Sequence, residues 1–323
     1  MKVLVTGASG LMGGATARAL ALRGDEVTVL QRRPSGLGVR EILGDVADAD
    51  LVARAARGQE VVLHAAAKVD VFGKWAEFQR INVQGTVAVV QACLDQGVRA
   101  LVNVSSPSVA HAGHALVGAP AGPADPSSAR SFYARSKAIA EQQVLAVDGD
   151  QLAVLCIRPH LVWGPGDTQL IGPIVERARA GRLLLIGGGA VLIDTTYLDN
   201  AVDALVAAID AVGAVHGESL VVSNGEPRPV GEILRLVCEA SGVKPPRGSV
   251  PLGVAVGGGT VIEGLWRMLG RTSRPPMTKF LAEQLGTAHW FDQRRTREAL
   301  NWSPRISLTE GFELLRRATG PRG

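Results

Sequence analysis

The chain has 323 residues, 46% of them hydrophobic and 20% charged, with a formal net charge of +4. That length supports a large core, and a small charge excess with no dense basic run argues against nucleic acid as a partner. Cys93, Cys156 and Cys238 offer neither a disulfide framework nor zinc spacing, which fits a reducing, cytoplasmic setting.

Val3 to Val5 is a β-branched and apolar run that reads as a buried strand. It starts too early to leave room for a signal peptide, and no run of about 20 apolar residues is present to span a membrane. Gly7, Gly10 and Gly13 follow at spacings of three, and Ala15 to Arg23 has helical composition. Strand, glycine turn and helix bring backbone N–H groups to a helix N-terminus, a cradle spanning Gly7, Ser9, Gly10, Leu11, Met12 and Gly13. There the helix dipole and unpaired donors favour a pyrophosphate. Gly7 allows the tight turn, Gly10 the approach of phosphate, and Gly13 close packing of helix on strand. A glycine turn without a ligand is the alternative, and the flanking strand and helix argue against it.

The second strand, Glu26 to Leu30, ends on Gln31, Arg32 and Arg33. In NAD-binding folds an acid at this end holds the ribose 2′-OH. Two cations with no carboxylate to repel it would suit a 2′-phosphate, so the pattern favours NADP over NAD as cofactor. Two ordinary surface arginines are the alternative. Gly44-Asp45-Val46 ends a third strand, where Asp45 either accepts from an adenine amino group or caps the next helix. Val61 to Ala67 is a fourth strand, and Ala65, Ala66 and Ala67 either leave room for a flat cofactor or simply pack closely.

Phe78 to Gln96 reads as a long helix with Asn82 near its start, and Val98 to Ser106 as the fifth strand. Residues 107–131, rich in Ala, Gly, Pro and Ser, read as a long loop. Phe132 to Val147 is a helix carrying Tyr133 and Lys137 on one face. Leu152 to Ile157 is a sixth strand, running into Arg158, Pro159, His160, Leu161 and Val162. Six strands alternating with helices argue for an α/β fold with a doubly wound parallel sheet. Beyond residue 164 the alternation fades, apart from a helix over Asp199 to Val212 and one more sheet strand over Ser219 to Ser223. The expected division is a Rossmann-type dinucleotide-binding domain over 1–163 and 191–222, and a smaller substrate-binding domain over 164–190 and 223–323.

Tyr133 and Lys137 carry the sharpest chemistry. A free tyrosine, with a pKa of about 10, is a poor base at neutral pH. A lysine ammonium one helical turn away should favour the phenolate and lower that pKa. Tyr133 can then exchange a proton with a carbonyl or alcohol oxygen while a nicotinamide exchanges hydride with the carbon. Ser106 can bond the same oxygen, and Lys137 can also hold the nicotinamide ribose. The six histidines show no helical ligand spacing with a carboxylate, so no metal is expected. His111 and His114 either reach substrate or are solvated loop residues, and His160 either touches the cofactor or fills the cleft wall.

Together, Thr6-Gly7-x-x-Gly10-x-x-Gly13, Ser106 and Tyr133-x-x-x-Lys137 resemble the extended short-chain dehydrogenase/reductases. The resemblance covers essentially the whole chain. It implies that Asn82 helps order a proton relay near the lysine, and that the segment Arg158 to Asp167 passes the nicotinamide carboxamide. Sugar-nucleotide epimerases and dehydratases of this family usually carry Val-Tyr-Gly after the serine and an acid after the second strand. Here Pro107-Ser108-Val109 and Gln31 stand at those places. The 3β-hydroxysteroid dehydrogenase-like branch fits better. Within it Ser105 to Val109, Ser223 to Pro227 and Glu283 to Trp290 are most similar to bacterial 2-alkyl-3-oxoalkanoate reductases of olefin synthesis.

That branch implies an oxidoreductase, linked to NADP or NAD, that interconverts a ketone and a secondary alcohol on a small apolar substrate of the 3-oxo acid or steroid type. A sugar-nucleotide epimerase or dehydratase and a cofactor-sensing module without chemistry are the competing readings. The resemblance also implies a homodimer built from the helices Phe78 to Gln96 and Phe132 to Val147. Val250 to Met268 is apolar and glycine-rich, and three roles stay open for it: lining an acyl or steroid pocket, touching a membrane surface, or filling ordinary core. Arg267, Arg271 and Arg274 remain available as anion contacts.

Overall fold

Short apolar runs alternate with Ala- and Leu-rich helical runs, a pattern that buries strands on both faces of a parallel sheet. In the computed structural model those runs form one such sheet. The structure describes residues 1–319 apart from 71, 112, 272 and 274, so Arg274 lies outside the described residues. The first half contains β1 (Lys2–Thr6), α1 (Leu11–Arg23), β2 (Glu26–Gln31), β3 (Arg40–Leu43), α2 (Ala49–Ala56), β4 (Val61–His64), α3 (Trp75–Phe78), α4 (Gly85–Gln96), β5 (Ala100–Val104), β6 (Leu116–Ala119), α5 (Phe132–Leu145) and β7 (Ala153–Pro159). Then follow β8 (Val162–Trp163), α6 (Ile171–Arg179), β9 (Leu185–Ile186), β10 (Leu192–Ile193), β11 (Thr196–Tyr197), α7 (Leu198–Ala211), β12 (Glu218–Val222), β13 (Arg228–Pro229) and α8 (Val230–Ala240). The chain ends with β14 (Ser249–Val250), α9 (Leu252–Met268), α10 (Lys279–Gly286), β15 (His289–Phe291), α11 (Arg294–Leu300) and α12 (Leu308–Thr319).

The sheet order is β3-β2-β1-β4-β5-β7-β12, with every pairing parallel. The chain runs outward from β1 to β3 and returns beside β1 as β4. That reversal opens a crevice at the C-terminal ends of the strands. Ala17, Leu20, Leu205 and Ile209 cover one face of the sheet, and Val52, Val89, Cys93 and Val144 the other. A separate core gathers Trp163, Tyr197, Ile233, Leu234 and Phe312, with the Trp163 and Phe312 rings stacked at 4.3 Å. A mixed sheet of order β13-β10-β15-β6 lies outside the main one.

Several expectations need correction. The first helix starts at Leu11, not Ala15, because Gly13 can lie directly on the turn: a Cβ there would sit 2.6 Å from the Gly7 carbonyl oxygen. The third strand stops at Leu43, and Asp45 turns back to accept from the Ala47 amide at 3.0 Å. Asp48, not Asp45, caps α2, accepting from the Leu51 amide. The long helix begins at Trp75 and passes through a π-helical stretch, Gln79–Gln84, before α4. The expected loop 107–131 contains β6, whose partner β15 is far along the chain. In α9 only Ala255 and Gly259 are buried, while Val254, Val261, Leu265 and Met268 are exposed, so this helix is not ordinary core. Among the described residues no helix is long and apolar enough to cross a membrane.

Two buried polar groups fasten the sheet to its helices. Arg158 on β7 and Glu141 on α5 form an ion pair 1% and 0% exposed. The Ser219 hydroxyl on β12 donates to the same carboxylate at 2.8 Å. The second group is a chain. The Ala66 amide donates to Thr6 Oγ1 at 3.2 Å, Thr6 pairs with His64 Nδ1 at 2.8 Å, His64 Nε2 with Thr86 Oγ1 at 3.0 Å, and Thr86 donates to the Asn82 carbonyl at 2.6 Å. Each hydroxyl has one proton to give, so the chain runs in one direction: Thr6 donates to Nδ1 and neutral His64 donates from Nε2. Burial pushes the His64 imidazole down to about 3, and the nearby Lys137 ammonium pushes the same way.

This sets an acid limit on stability. The unfolded chain protonates His64 below about pH 6.5 and the folded chain only near about pH 3. Its contribution is complete above the first value and falls by about 1.4 kcal/mol per pH unit between the two. Urea unfolding across that range checks this. His64→Asn, weaker at neutral pH, should show a stability–pH slope shallower by about one proton; equal slopes would contradict a neutral buried His64.

Candidate active site

The strand order places the loops after β1, β2, β3, β4, β5 and β7 around one cleft of about 1120 Å³. It brings together Gly7, Ser9, Gly10, Leu11, Met12, Gly13, Gln31, Arg32, Arg33, Asp45, Val46, Ala65, Ala66, Ala67, Ser106, Tyr133, Lys137, Pro159, His160, Leu161 and Val162. Asn82 stands behind the wall. Its side chain clamps Lys68, accepting from the amide at 2.7 Å and donating to the carbonyl at 3.0 Å, and it also donates to Ser136 Oγ at 2.9 Å.

The glycine turn is closed by contact with β4. Gly7 has φ +79°, and a Cβ there would lie 2.7 Å from Ala66 Cα. A side chain at Gly7 would push the turn off the chain that follows β4, and one at Gly13 would push α1 off the turn. Gly10 stands at the start of α1 in extended conformation, no side chain caps the helix, and its first turn holds no acid. The first N–H groups and the positive end of the helix dipole therefore face the cleft without a competing carboxylate.

At the end of β2 the sequence pattern omits one neighbour. Gln31 is buried, and its Nε2 donates to Glu41 Oε1 on β3 at 2.6 Å. Ser35 donates to the same oxygen from its amide at 2.7 Å and its hydroxyl at 2.8 Å, and these bonds hold Glu41 below the usual carboxylate range. The expectation of no carboxylate beside this strand end is thus corrected: register with β3 supplies one behind Gln31. Arg32 and Arg33 are exposed on the cleft rim. Asp45 pairs with Arg80 at 2.9 Å, and hydrogen bonds with Ala47 and Arg80 lower its pKa against the opposing effect of burial.

Ser106 ends the β5 strand region and starts a short turn, Pro107–Ala110, by accepting from the Ser108 amide. Its hydroxyl lies 2.9 Å from Ser108 Oγ. Tyr133 opens α5, which Ser131 caps by accepting from the Ala134 amide. Burial pushes the Tyr133 phenol up, and a hydrogen bond with Ser106 partly offsets that. Lys137 is 3% exposed and donates to the Val104 carbonyl at 2.6 Å. Burial lowers it to about 8, against the pull of Cys156 and Glu141. The expectation that Lys137 lowers the Tyr133 pKa is therefore corrected. Helical spacing puts the two residues on one face, but the ammonium turns to the end of β5 and desolvation governs the phenol.

The far wall of the cleft is aliphatic, with Ile174 from α6, Ile233 and Leu234 from α8, and Leu281 and Leu285 from α10. No residue of 250–268 lines it, so the pocket-lining role held open for that segment passes to α10. His111, His289 and Gln284 also face the cleft. Sequence reasoning missed Gln284 and His289. His289 lies in a strand of three residues, too short for a periodicity, and only its pairing with β6 and β10 brings it to the site. Among the described residues no group of three or more His, Cys, Asp or Glu side chains is placed to hold a metal ion.

The model of the 3-beta hydroxysteroid dehydrogenase/isomerase family matches residues 4–252. The chain is 39% identical to a 2-alkyl-3-oxoalkanoate reductase of Stenotrophomonas maltophilia, over 98% of each chain. It is 33% identical to a protein of that name from Shewanella oneidensis, over 97% of this chain and 84% of the other. Among solved structures, MoeE5 in complex with UDP-glucose and NAD is 25% identical with a TM-score of 0.75, covering 99% of this chain and 98% of that one. The chain belongs to the 3-beta hydroxysteroid dehydrogenase/isomerase family, a branch of the extended short-chain dehydrogenase/reductases, and is an NAD(P)-dependent oxidoreductase of that kind.

Proposed function

We propose that this protein interconverts a ketone and a secondary alcohol on an apolar substrate, of the 2-alkyl-3-oxo acid or 3-oxosteroid type, with NADP as the preferred cofactor. The observation that carries this reading is that Ser106, Tyr133 and Lys137 line one cleft together with an aliphatic wall. A sugar nucleotide is a poorer match. Among the described residues lining the cleft, Arg32, Arg33, Lys68 and Lys137 stand on the main-sheet side, and none of the lining residues from α6, α8 or α10 is a cation that could clamp a diphosphate.

The cradle from Gly7 to Gly13 suits a dinucleotide, because its backbone comes too close to Ala66 to admit side chains and its helix end is uncapped. In this reading Gly7, Ser9, Gly10, Leu11, Met12 and Gly13 hold the pyrophosphate. Gln31, Arg32 and Arg33 hold the adenosine ribose, and Asp45 and Val46 the adenine. Ala65, Ala66, Ala67 and Pro159 to Val162 flank the nicotinamide, and Lys137 holds its ribose. When bound, the nicotinamide supplies or accepts the hydride. Ser106 and Tyr133 grip the carbonyl oxygen, and Tyr133, protonated at neutral pH, gives it a proton. In the reverse direction the alcohol proton returns to Tyr133. We assign cofactor binding to 1–163 and 191–222, and substrate binding to 164–190 and 223–323. We also assign α4 and α5, which expose Val87 and Phe132, to a homodimer interface.

Three measurements test these assignments. Tyr133→Phe keeps the ring and removes the proton donor, so cofactor binding should survive while turnover falls by about two orders of magnitude or more; near-normal turnover would end the mechanism. Titration should show NADPH bound about tenfold tighter than NADH, with Arg32 and Arg33 supplying charge-assisted bonds and Glu41 limiting the difference. Added salt should narrow the gap, and joint replacement of both arginines by Ala should close it; equal affinities in the unmodified protein would refute the preference. Light scattering at micromolar concentration should give a dimer mass, and a monomer would remove the interface.

A further inference from the structure

Three imidazoles line the same cleft as Ser106, Tyr133 and Lys137. His160 follows β7, His289 opens β15, and His111 ends the short turn that Ser106 begins. The His160 and His289 rings meet edge-on at 5.0 Å, and His111 lies 6.1 Å from His289. All three are buried, with exposures of 5% or less. Their bonding is uneven. Asp194 holds His160 Nδ1, and its other oxygen accepts from Ser223 Oγ at 2.7 Å and from the Phe291 amide at 3.0 Å. His289 Nε2 bonds Gln284 Oε1 at 2.8 Å. His289 Nδ1 and both nitrogens of His111 have no partner among the described residues. Buried polar atoms are rarely left this way, and here three of them belong to two residues that line one cleft.

The unmet bonds define a ligand group. Neutral His289 gives its N–H to Gln284 and keeps an unpartnered lone pair on Nδ1, while neutral His111 offers one N–H and one lone pair. A carboxyl group meets two of these three needs: one oxygen accepts the His111 N–H and the acid proton is shared with the His289 lone pair. Placement adds a distance condition. His111 and Ser106 belong to one turn, in which the His111 amide donates to the Ser108 carbonyl at 3.3 Å. In a 3-oxo or 3-hydroxy acid only one carbon separates the carboxyl from the reacting carbon, so the two groups need neighbouring sites. We propose that His111 and His289 form a carboxyl-binding subsite that selects 3-oxo and 3-hydroxy acids over their esters. This inference rests on the reading of the cleft as a ketone–alcohol oxidoreductase site.

The charged surroundings set the pH behaviour. His111 faces His114, Arg130, Glu283 and His160, with Arg130 and Glu283 paired to each other at 2.5 Å. His289 faces His160 and His111, and Asp194 stands behind His160. Burial first, and then the neighbouring imidazoles, hold His111 below the ordinary histidine range and His289 well below it. Both rings are therefore neutral at neutral pH, and an ionised acid brings the charge that draws a proton in. Acid binding takes up a proton and tightens as pH falls, whereas ester binding does not.

Calorimetric titration of the cofactor-loaded protein with a 2-alkyl-3-hydroxy acid and its methyl ester tests this directly. The acid should bind about tenfold or more tighter than the ester near pH 6, with proton uptake read from buffers of different ionisation enthalpy. His111→Leu and His289→Leu should each remove most of that preference while leaving ester affinity within about twofold. Should either variant fail to fold, the acid–ester ratio and its pH dependence in the unmodified protein decide alone. Equal binding of acid and ester by a protein that still oxidises the ester would overturn the subsite and leave the oxidoreductase reading standing. Absence of both binding and turnover would overturn the subsite together with the substrate reading.

Discussion

A buried run of hydrogen bonds with a single direction, from the Ala66 amide through Thr6, His64 and Thr86 to the Asn82 carbonyl, fixes where the cleft can be. It joins the end of β1, the end of β4 and the π-helical turn before α4. Each link has one donor and one acceptor, so reversing or charging any of them leaves a buried group unmet. The glycine turn leaves β1 one residue after Thr6 and touches Ala66, so the same run sets the floor of the cleft. Through Asn82 it reaches Ser136, the residue before Lys137. The π-helical stretch is the local cost of aiming Asn82 at both Lys68 and α5.

Desolvation, rather than pairing, sets the state of the chemical groups. The Tyr133 phenol and the Lys137 ammonium are both moved toward their neutral forms by burial, in opposite directions on the pH scale. A protonated phenol suits proton donation to a ketone oxygen. Lys137 at about 8 remains mostly charged at neutral pH and is held by the Val104 carbonyl at the tip of β5. Tyr133 and Lys137 thus stand on α5 beside the main sheet, while α6, α8 and α10 supply the aliphatic wall.

What the sequence made legible follows from the range of each interaction. Gly7, Gly10 and Gly13 are readable because turn and helix lie within a dozen residues and their spacing states the geometry. Tyr133 and Lys137 are readable as one helical face, but the direction of the lysine is not, since its acceptor is a backbone carbonyl on another element. Glu41 beside Gln31 is hidden for the same reason: strand register brings them together. His289 and β6 are the least legible parts, being short segments paired across more than half the chain. The segment Val250 to Met268 is legible as apolar, yet composition does not tell that Val254, Val261, Leu265 and Met268 of α9 stay exposed.

The central claim is net hydride transfer between a nicotinamide and a substrate carbon whose oxygen rests on Ser106 and Tyr133. The most direct measurement uses reduced cofactor carrying deuterium at its transferable position, with a 2-alkyl-3-oxo acid as substrate, and reads the product by mass spectrometry. The account predicts one deuterium on the new alcohol carbon and one oxidised cofactor per product formed. Product without label, or a cofactor that returns to its reduced form with no net change, would contradict it.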